Sequence, residues 1–340
     1  MKRIIILTLS AGLVLSSCLK HEEESTSDES RIYLSAGTVE TRSPYTGSVP
    51  SGSEPLNALV CVSTYAGSFP ENEGEDGTVD GNIGKHIQTQ FLSGSSQLIN
   101  GAYYNKDHVK PVYFTAFHPQ SDSWTFTTGD GGGTEASFTF GGSDDVMFAP
   151  CVTGQYGAST PKLKFSHLLT WIKLEIKAEN EAVAAAWGPL ETVGITSASN
   201  ISIAIDSKAA EFTNPVILPF YQTGSPDEEF PAAGGYAMTT DMKEVAYILC
   251  APVIATEKDD FETSKVVRTA EYNISISSRY RQNITVPVDL MSNTDTYFAG
   301  TTAGSQFTLC LTFKMGNTIA VSASITDWET GGVGFGKIEE

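Results

Sequence analysis

The sequence predicts an all-β fold, arranged as two β-sandwiches in tandem. Three observations carry that expectation. Short apolar runs recur between turn-forming segments, in a chain with 31 Gly in 340 residues and only 18% charged residues, a balance that suits turn-rich sheets better than helices. No stretch alternates strand with helix as a parallel α/β sheet requires. Third, residues 162–178, KLKFSHLLTWIKLEIKA, carry the longest strand signal free of Gly and Pro, and their alternation changes phase halfway. Leu163, Phe165, His167, Leu169 and Trp171 take odd positions, then Ile172, Leu174 and Ile176 take even ones. Neighbouring strand residues face opposite sides of a sheet, so this flip requires a bulge or a crossing between sandwiches. The boundary is therefore expected here, with one sandwich over 31–161 and the second over 162–340. A chain of this length can bury a sizeable core in each.

Residues 1–17 stand apart from the fold. Lys2 and Arg3 precede a short apolar run over 4–15, which reads as a signal peptide rather than a membrane span. Leu15-Ser16-Ser17-Cys18 resembles a lipobox, in which Cys18 is lipidated and becomes the first residue. Each buried CH₂ of such a lipid contributes ~0.8 kcal/mol, so several acyl chains anchor stably. Residues 18–30 form an acidic tether. Its Lys20 followed by Glu22, Glu23 and Glu24 resembles the signal that sends lipoproteins to the outer face of the outer membrane in Bacteroidota.

The strands follow in order. Residues 31–39 form the first, then comes a polar linker rich in Thr, Ser, Gly and Pro over 40–55. Residues 58–65 read as a core strand, 68–84 as an acidic, Gly-rich loop, and 86–92 and 111–118 as further strands. A short meander over 124–128, 136–140 and 146–149 is punctuated by Gly131-Gly132-Gly133 and Gly141-Gly142. The Ala-rich residues 179–187 suit two turns of helix. Strands are expected again over 190–196, 201–205, 212–218, 244–251, 266–277 and 283–288. Residues 306–315 and 318–328 close the chain as a hairpin through Gly316-Asn317, a pair that accepts positive φ.

A formal charge of −19 excludes the basic stripe that nucleic acid or an anionic lipid surface would need. Apart from Cys18 there are four cysteines, Cys61, Cys151, Cys250 and Cys310, which allow three disulfide pairings. Cys61, Cys250 and Cys310 sit inside apolar strand runs, where free thiols act as small core residues, and that reading is preferred. No spacing of Cys or His suggests zinc. The loop over 71–82 is acidic enough for calcium, but aligned from Asp76 it has Thr78 and Ile87 where an EF-hand needs ligands, so it reads as a solvated loop. Asp144-Asp145, Glu228-Glu229 and Asp259-Asp260 look like exposed loop acids, unconnected to a cleft of the kind glycosidases need. His167 alternates with apolar neighbours and reads as a core histidine with a hydrogen-bond partner. No nucleophile is positioned for it, and the chain is expected to be no enzyme, with no cofactor and no metal.

Several segments resemble one family. A lipobox precedes an acidic tether and a first strand, with Thr41-Arg42 just beyond it. Val112-Tyr113-Phe114-Thr115-Ala116-Phe117-His118-Pro119 is similar to the family's aromatic strand, and Asp145-Val146-Met147-Phe148-Ala149 to the strand after it. Leu163-Lys164-Phe165-Ser166-His167-Leu168-Leu169 resembles its entry to the second half, and Ile325-Thr326-Asp327-Trp328 its final strand. The family is the fimbrillins, subunits of the type V pili of Bacteroidota. The resemblance implies two transthyretin-like β-sandwiches and a lipoprotein precursor carried to the surface of the outer membrane. It also implies cleavage in the flexible linker between Arg42 and Ser43, where an exposed loop suits a protease. The first strand, within 31–42, would then leave, and a neighbouring pilus subunit would add its own strand to the open groove. Partners are thus other subunits, membrane lipid through Cys18 before processing, and host or bacterial surface ligands in adhesion. Residues 329–340, ETGGVGFGKIEE, lack the side chains to fill a groove, which fits a tip or accessory subunit better than a stalk subunit. The alternative is a monomeric surface lipoprotein that binds glycan through Trp124, Tyr103 and Tyr104.

Overall fold

The computed structural model describes residues 31–38, 55–64, 66, 86–91, 96–104, 111–129, 133–260, 265–291, 300–316 and 318–326. The chain is almost entirely β, and two sheets pack as sandwich-like units. The N-terminal strands are β1 (Arg31–Thr38), β2 (Leu56–Ser63), β3 (His86–Phe91), β4 (Ser96–Tyr103), β5 (Val112–His118), β6 (Thr125–Thr128), β7 (Thr134–Thr139), β8 (Met147–Gly154) and β9 (Lys162–His167). Seven of them form one sheet in the order β3-β2-β5-β8-β9-β1-β4, and β4 returns beside β3 so that the sheet wraps its own core.

After β9 come β10 (Thr170–Ala178), α1 (Glu181–Trp187), β11 (Leu190–Ala204), β12 (Ala209–Gln222), β13 (Ser225–Phe230), β14 (Lys243–Cys250), β15 (Thr256–Asp260), β16 (Lys265–Ser278), β17 (Arg281–Met291), β18 (Gln306–Phe313) and β19 (Ile319–Thr326). Their path runs β15-β16-β11-β12-β14-β10-β18-β19, with β13 on β12, β17 on β16 and the β6–β7 hairpin on β11. β12 pairs with β11 over most of its length and then with β14 at Tyr221 and Gln222, which carries the sheet from one layer to the other. Between the layers Ile172, Ile195, Ile274, Phe307 and Leu309 face one another.

The phase flip is a crossing between sheets. Leu163, Phe165 and His167 are buried on β9, and Thr170, Ile172, Leu174, Ile176 and Ala178 on β10, two residues apart at Leu168-Leu169. Trp171, expected with the apolar set, instead faces outward and half-buried, with Lys173 Nζ 4.8 Å from its ring centre. The expected helix forms because its ends are capped. Asn180 Oδ1 accepts from the Val183 N–H at 3.0 Å, and Gly188, at φ 69°, donates back to the Ala184 carbonyl at 2.9 Å.

The predicted strands over 190–196 and 201–205 are one strand, β11, because Ser197, Ala198 and Asn200 between them continue its pairing with β12. Strands β4, β13 and β15 were not expected. They are rich in polar residues and owe their form to ladder partners rather than to an apolar pattern. The closing hairpin is present, with the Lys314 N–H donating to the Thr318 carbonyl at 3.0 Å beside Gly316 at φ 76°.

One wall serves two cores. Val60 and Val62 of β2, Phe114 and Ala116 of β5 and Met147 and Ala149 of β8 face the first core. Leu59, Cys61, Phe117 and Phe148, on the opposite face of the same strands, join the core of the larger sheet. The hairpin β6–β7 lies over that second face, where Phe117 and Trp124 stand 4.8 Å apart, as do Trp124 and Phe138. A strand covered on both faces reads as a continuous apolar run, which is what LNALVCVS shows.

Candidate functional site: the seat of the first strand

Strand β1 reads RIYLSAGT, and its alternation settles which side chains go inward. Ile32 and Leu34 are fully buried, while Arg31, Tyr33 and Ser35 are half-buried. The two inward residues join a cluster that includes Phe91, Ile99, Phe114, Leu163 and Phe165, with the Phe91 and Phe165 rings 6.2 Å apart. Burying an aliphatic side chain of this size contributes roughly 1.5–3 kcal/mol, so Ile32 and Leu34 hold β1 firmly in the core.

The backbone of β1 is bonded on two sides, and in two halves. Its first half runs antiparallel to β4, with Tyr33 opposite Leu98, Leu34 opposite Gln97 and Ser35 opposite Ser96. Its second half runs parallel to β9, from Ser35 opposite Lys162 to Thr38 opposite Phe165. The Ser35 N–H also donates to the Pro161 carbonyl at 3.1 Å. Without β1, the β4 and β9 edges would be left with unpaired backbone groups and an apolar furrow between them. The sequence offered little sign of β4, one wall of this seat, because Gly101 interrupts a polar stretch; its Ile99 is fully buried.

Cys18, Arg42, Ser43, the acidic loop over 71–82 and residues 329–340 lie outside the described residues. The other candidates are placed. Asp145, expected as an exposed loop acid, is buried, and its Oδ1 lies 2.7 Å from His167 Nδ1. A buried carboxylate needs such a partner, and an Asp-Asp pair gives no sign in sequence of which acid has one. Asp144 stays nearer the surface and accepts from the Gly141 N–H at 2.8 Å. Glu228-Glu229 and Asp259-Asp260 stand in strands β13 and β15 rather than in loops.

Trp124 is buried against Phe138, and its Nε1–H donates to the Pro119 carbonyl at 2.9 Å, so it offers no exposed face to a glycan. Cys61 and Cys250 are buried free thiols; Cys310, also free, is half-buried on the outer face of β18, 3.3 Å from Glu175 Oε2. Burial pushes the Cys250 thiol up to about 12. Among the described residues no three His, Cys, Asp or Glu side chains gather as a metal site would require, and no helix is long and apolar enough to cross a membrane.

Residues 62–328 match the model of a family described as fimbrillin-like. No curated protein matches the chain. Among solved structures it is similar to a proposed cell adhesion protein from Bacteroides uniformis, at 14% identity over 89% of this chain and 99% of that one, with a TM-score of 0.47. It is also similar to a fimbrial protein from Bacteroides vulgatus, at 16% identity over 87% and 99%, with a TM-score of 0.39. A fimbrial assembly protein from Parabacteroides distasonis matches at 13% identity over 90% and 99%, with a TM-score of 0.43.

Proposed function

The chain belongs to the fimbrillin-like family, which makes it a pilus or adhesin subunit of the cell surface, and on that premise we propose that β1 is a removable strand whose seat receives the strand of a neighbouring subunit. In this reading the precursor is a lipoprotein anchored to outer-membrane lipid through Cys18, and an Arg-specific cut between Arg42 and Ser43 severs β1 from the rest. The two units over 31–161 and 162–340 are then transthyretin-like domains in tandem. The subunit stands at the tip of a pilus or as an accessory, where it serves adhesion.

The observation that carries the proposal is the placement of β1 between two different strands, with Ile32 and Leu34 fully buried. A strand so placed can be replaced only by another that repeats its side-chain spacing, because every second residue must fill the same furrow.

The test is the intact mass of the protein sheared from the native cell surface. Cleavage predicts a chain that begins at Ser43 and carries no lipid. A chain that begins at acylated Cys18 would mean that β1 stays, and strand exchange at this seat would be ruled out.

A further inference from the structure

A hollow of about 600 Å³ opens on the second unit, where β11 leaves β16 and runs on beside β12. Its lining comes from three places: Ile217 and Pro219 of β12, Glu229 of β13 with Pro231 just beyond it, and Ser275 and Thr285 of the β16–β17 pair. Gly194, in the same lining, fixes where Ile217 lies. A Cβ there would come within 2.6 Å of Ile217 Cγ2 and 2.9 Å of the Leu218 carbonyl oxygen, so only Gly lets Ile217 keep that position.

The apolar part of the hollow faces solvent. Ile217 is 60% exposed and Val216 37%, the one adjacent pair of exposed large apolar side chains among the described residues. Apolar side chains gathered at a groove mark a contact surface, whereas single ones need no explanation. The edge of β12 makes that contact one of side chains rather than of backbone. From 209 to 219 only β11 pairs with β12 among the described strands, yet Pro215 and Pro219 have no N–H to offer and Asn214 takes φ 60°. Such an edge resists a further strand.

Charge says which side chain fits. Glu229 lines the hollow, while the carboxylate of its neighbour Glu228 accepts from Gln222 Nε2 at 3.1 Å. Glu191, also in the lining, lies 3.9 Å from Arg279 Nε and accepts from Gln282 Nε2 at 3.3 Å, so Glu229 is the carboxylate that a newcomer meets. A basic side chain joins an aliphatic stem to a charged head, and so matches an apolar wall beside a carboxylate.

We propose that this hollow is a docking site for a partner protein, which inserts a lysine or arginine side chain with its stem against Ile217, Pro219 and Pro231 and its head on Glu229. The whole described lining lies within 191–285, so neither β1 nor its removal touches the site. The proposal goes beyond strand exchange and does not depend on it.

Titration of the full chain with an acetylated, amidated leucine-lysine-leucine peptide, followed by NMR, tests it beside the same peptide with norleucine or glutamate at its centre. The lysine peptide is expected to bind saturably in the millimolar range and to shift the amide signals of Gly194 and Thr285. The norleucine peptide should bind about threefold more weakly and the glutamate peptide more weakly still, since a partly exposed ion pair contributes modestly. Glu229→Gln should weaken the lysine peptide about threefold and leave the norleucine peptide unchanged, whereas Ile217→Ser should weaken both. Both side chains are exposed, and unfolding midpoints of the variants separate lost binding from lost folding. If Ile217→Ser fails to fold, Glu229→Gln and the peptide comparison still decide. No saturation by the lysine peptide, shifts confined to other residues, or equal affinity for the three peptides would overturn the site. Spermidine binding more tightly than the lysine peptide would overturn the protein partner.

Discussion

His167 Nδ1 lies 2.7 Å from Asp145 Oδ1, and both side chains are buried at the point where the chain leaves one sheet for the other. The carboxylate accepts from the ring, and its second oxygen has no hydrogen-bond partner among the described residues. The pair joins the start of β8 to the end of β9, next to the pairing of Met147 with His167. Asp145→Ala would leave a buried ring nitrogen without its acceptor, at a cost of roughly 1–3 kcal/mol. Urea unfolding of the variant measures that loss; stability equal to the parent would show that the pair adds nothing.

His118 stands close by and accounts for a pH dependence. Its Nδ1 lies 2.6 Å from the Asn57 carbonyl, and its pKa is lowered from 6.5, first by burial and further by His167, while Asp145, the Asn57 carbonyl and Asp144 pull the other way. A histidine whose folded pKa is depressed binds its proton more readily in the unfolded chain. Its neutral form stabilises the fold fully above 6.5, and stability falls as pH drops from there toward the folded pKa. Chemical denaturation at about pH 7.5 and about pH 5.5 should show a fall for the parent that is smaller in His118→Gln. Equal falls would assign the effect to other groups.

Leu34 measures how firmly β1 is seated. Leu34→Ala removes a fully buried side chain from the first core and should cost roughly 2–5 kcal/mol. Limited trypsin digestion should then release β1 faster than in the parent, with both effects read on one preparation by urea unfolding and mass. A cost under about 1 kcal/mol would mean that the furrow closes around the smaller residue.

The thiols should react in order of access. Burial raises the Cys61 thiol well above 9.0 and the Cys250 thiol to about 12. Burial, with help from Glu175, raises Cys310 to about 11. Only the thiolate is alkylated, so iodoacetamide at about pH 8 should leave Cys61 and Cys250 untouched in the folded protein, modify Cys310 slowly and reach half-buried Cys151 first. All four should react in guanidinium. A disulfide found among them by mass would overturn this.

Much of the strand order was legible because alternation and turn chemistry are local. The change of phase within 162–178 already required a bulge or a crossing, and the Ala content of 179–187 pointed to the short helix. Where local signals were thin, the reading fell short. β4 is polar and broken by Gly101, and it is a strand because β1 pairs with it. Asp144 and Asp145 look alike in sequence, and only the approach of His167 from β9 separates the surface acid from the buried one.

From its residues alone, then, the chain determined its class, the sites of its turns and the stretch where one sheet gives way to the next, since each depends on neighbours a few positions apart. Tertiary structure decided what lies across each strand. It covered both faces of β2, β5 and β8, turned Trp171 outward, and set β1 between β4 and β9. Those outcomes rest on pairings between residues far apart in the chain, and the burial of a side chain follows from what packs over it.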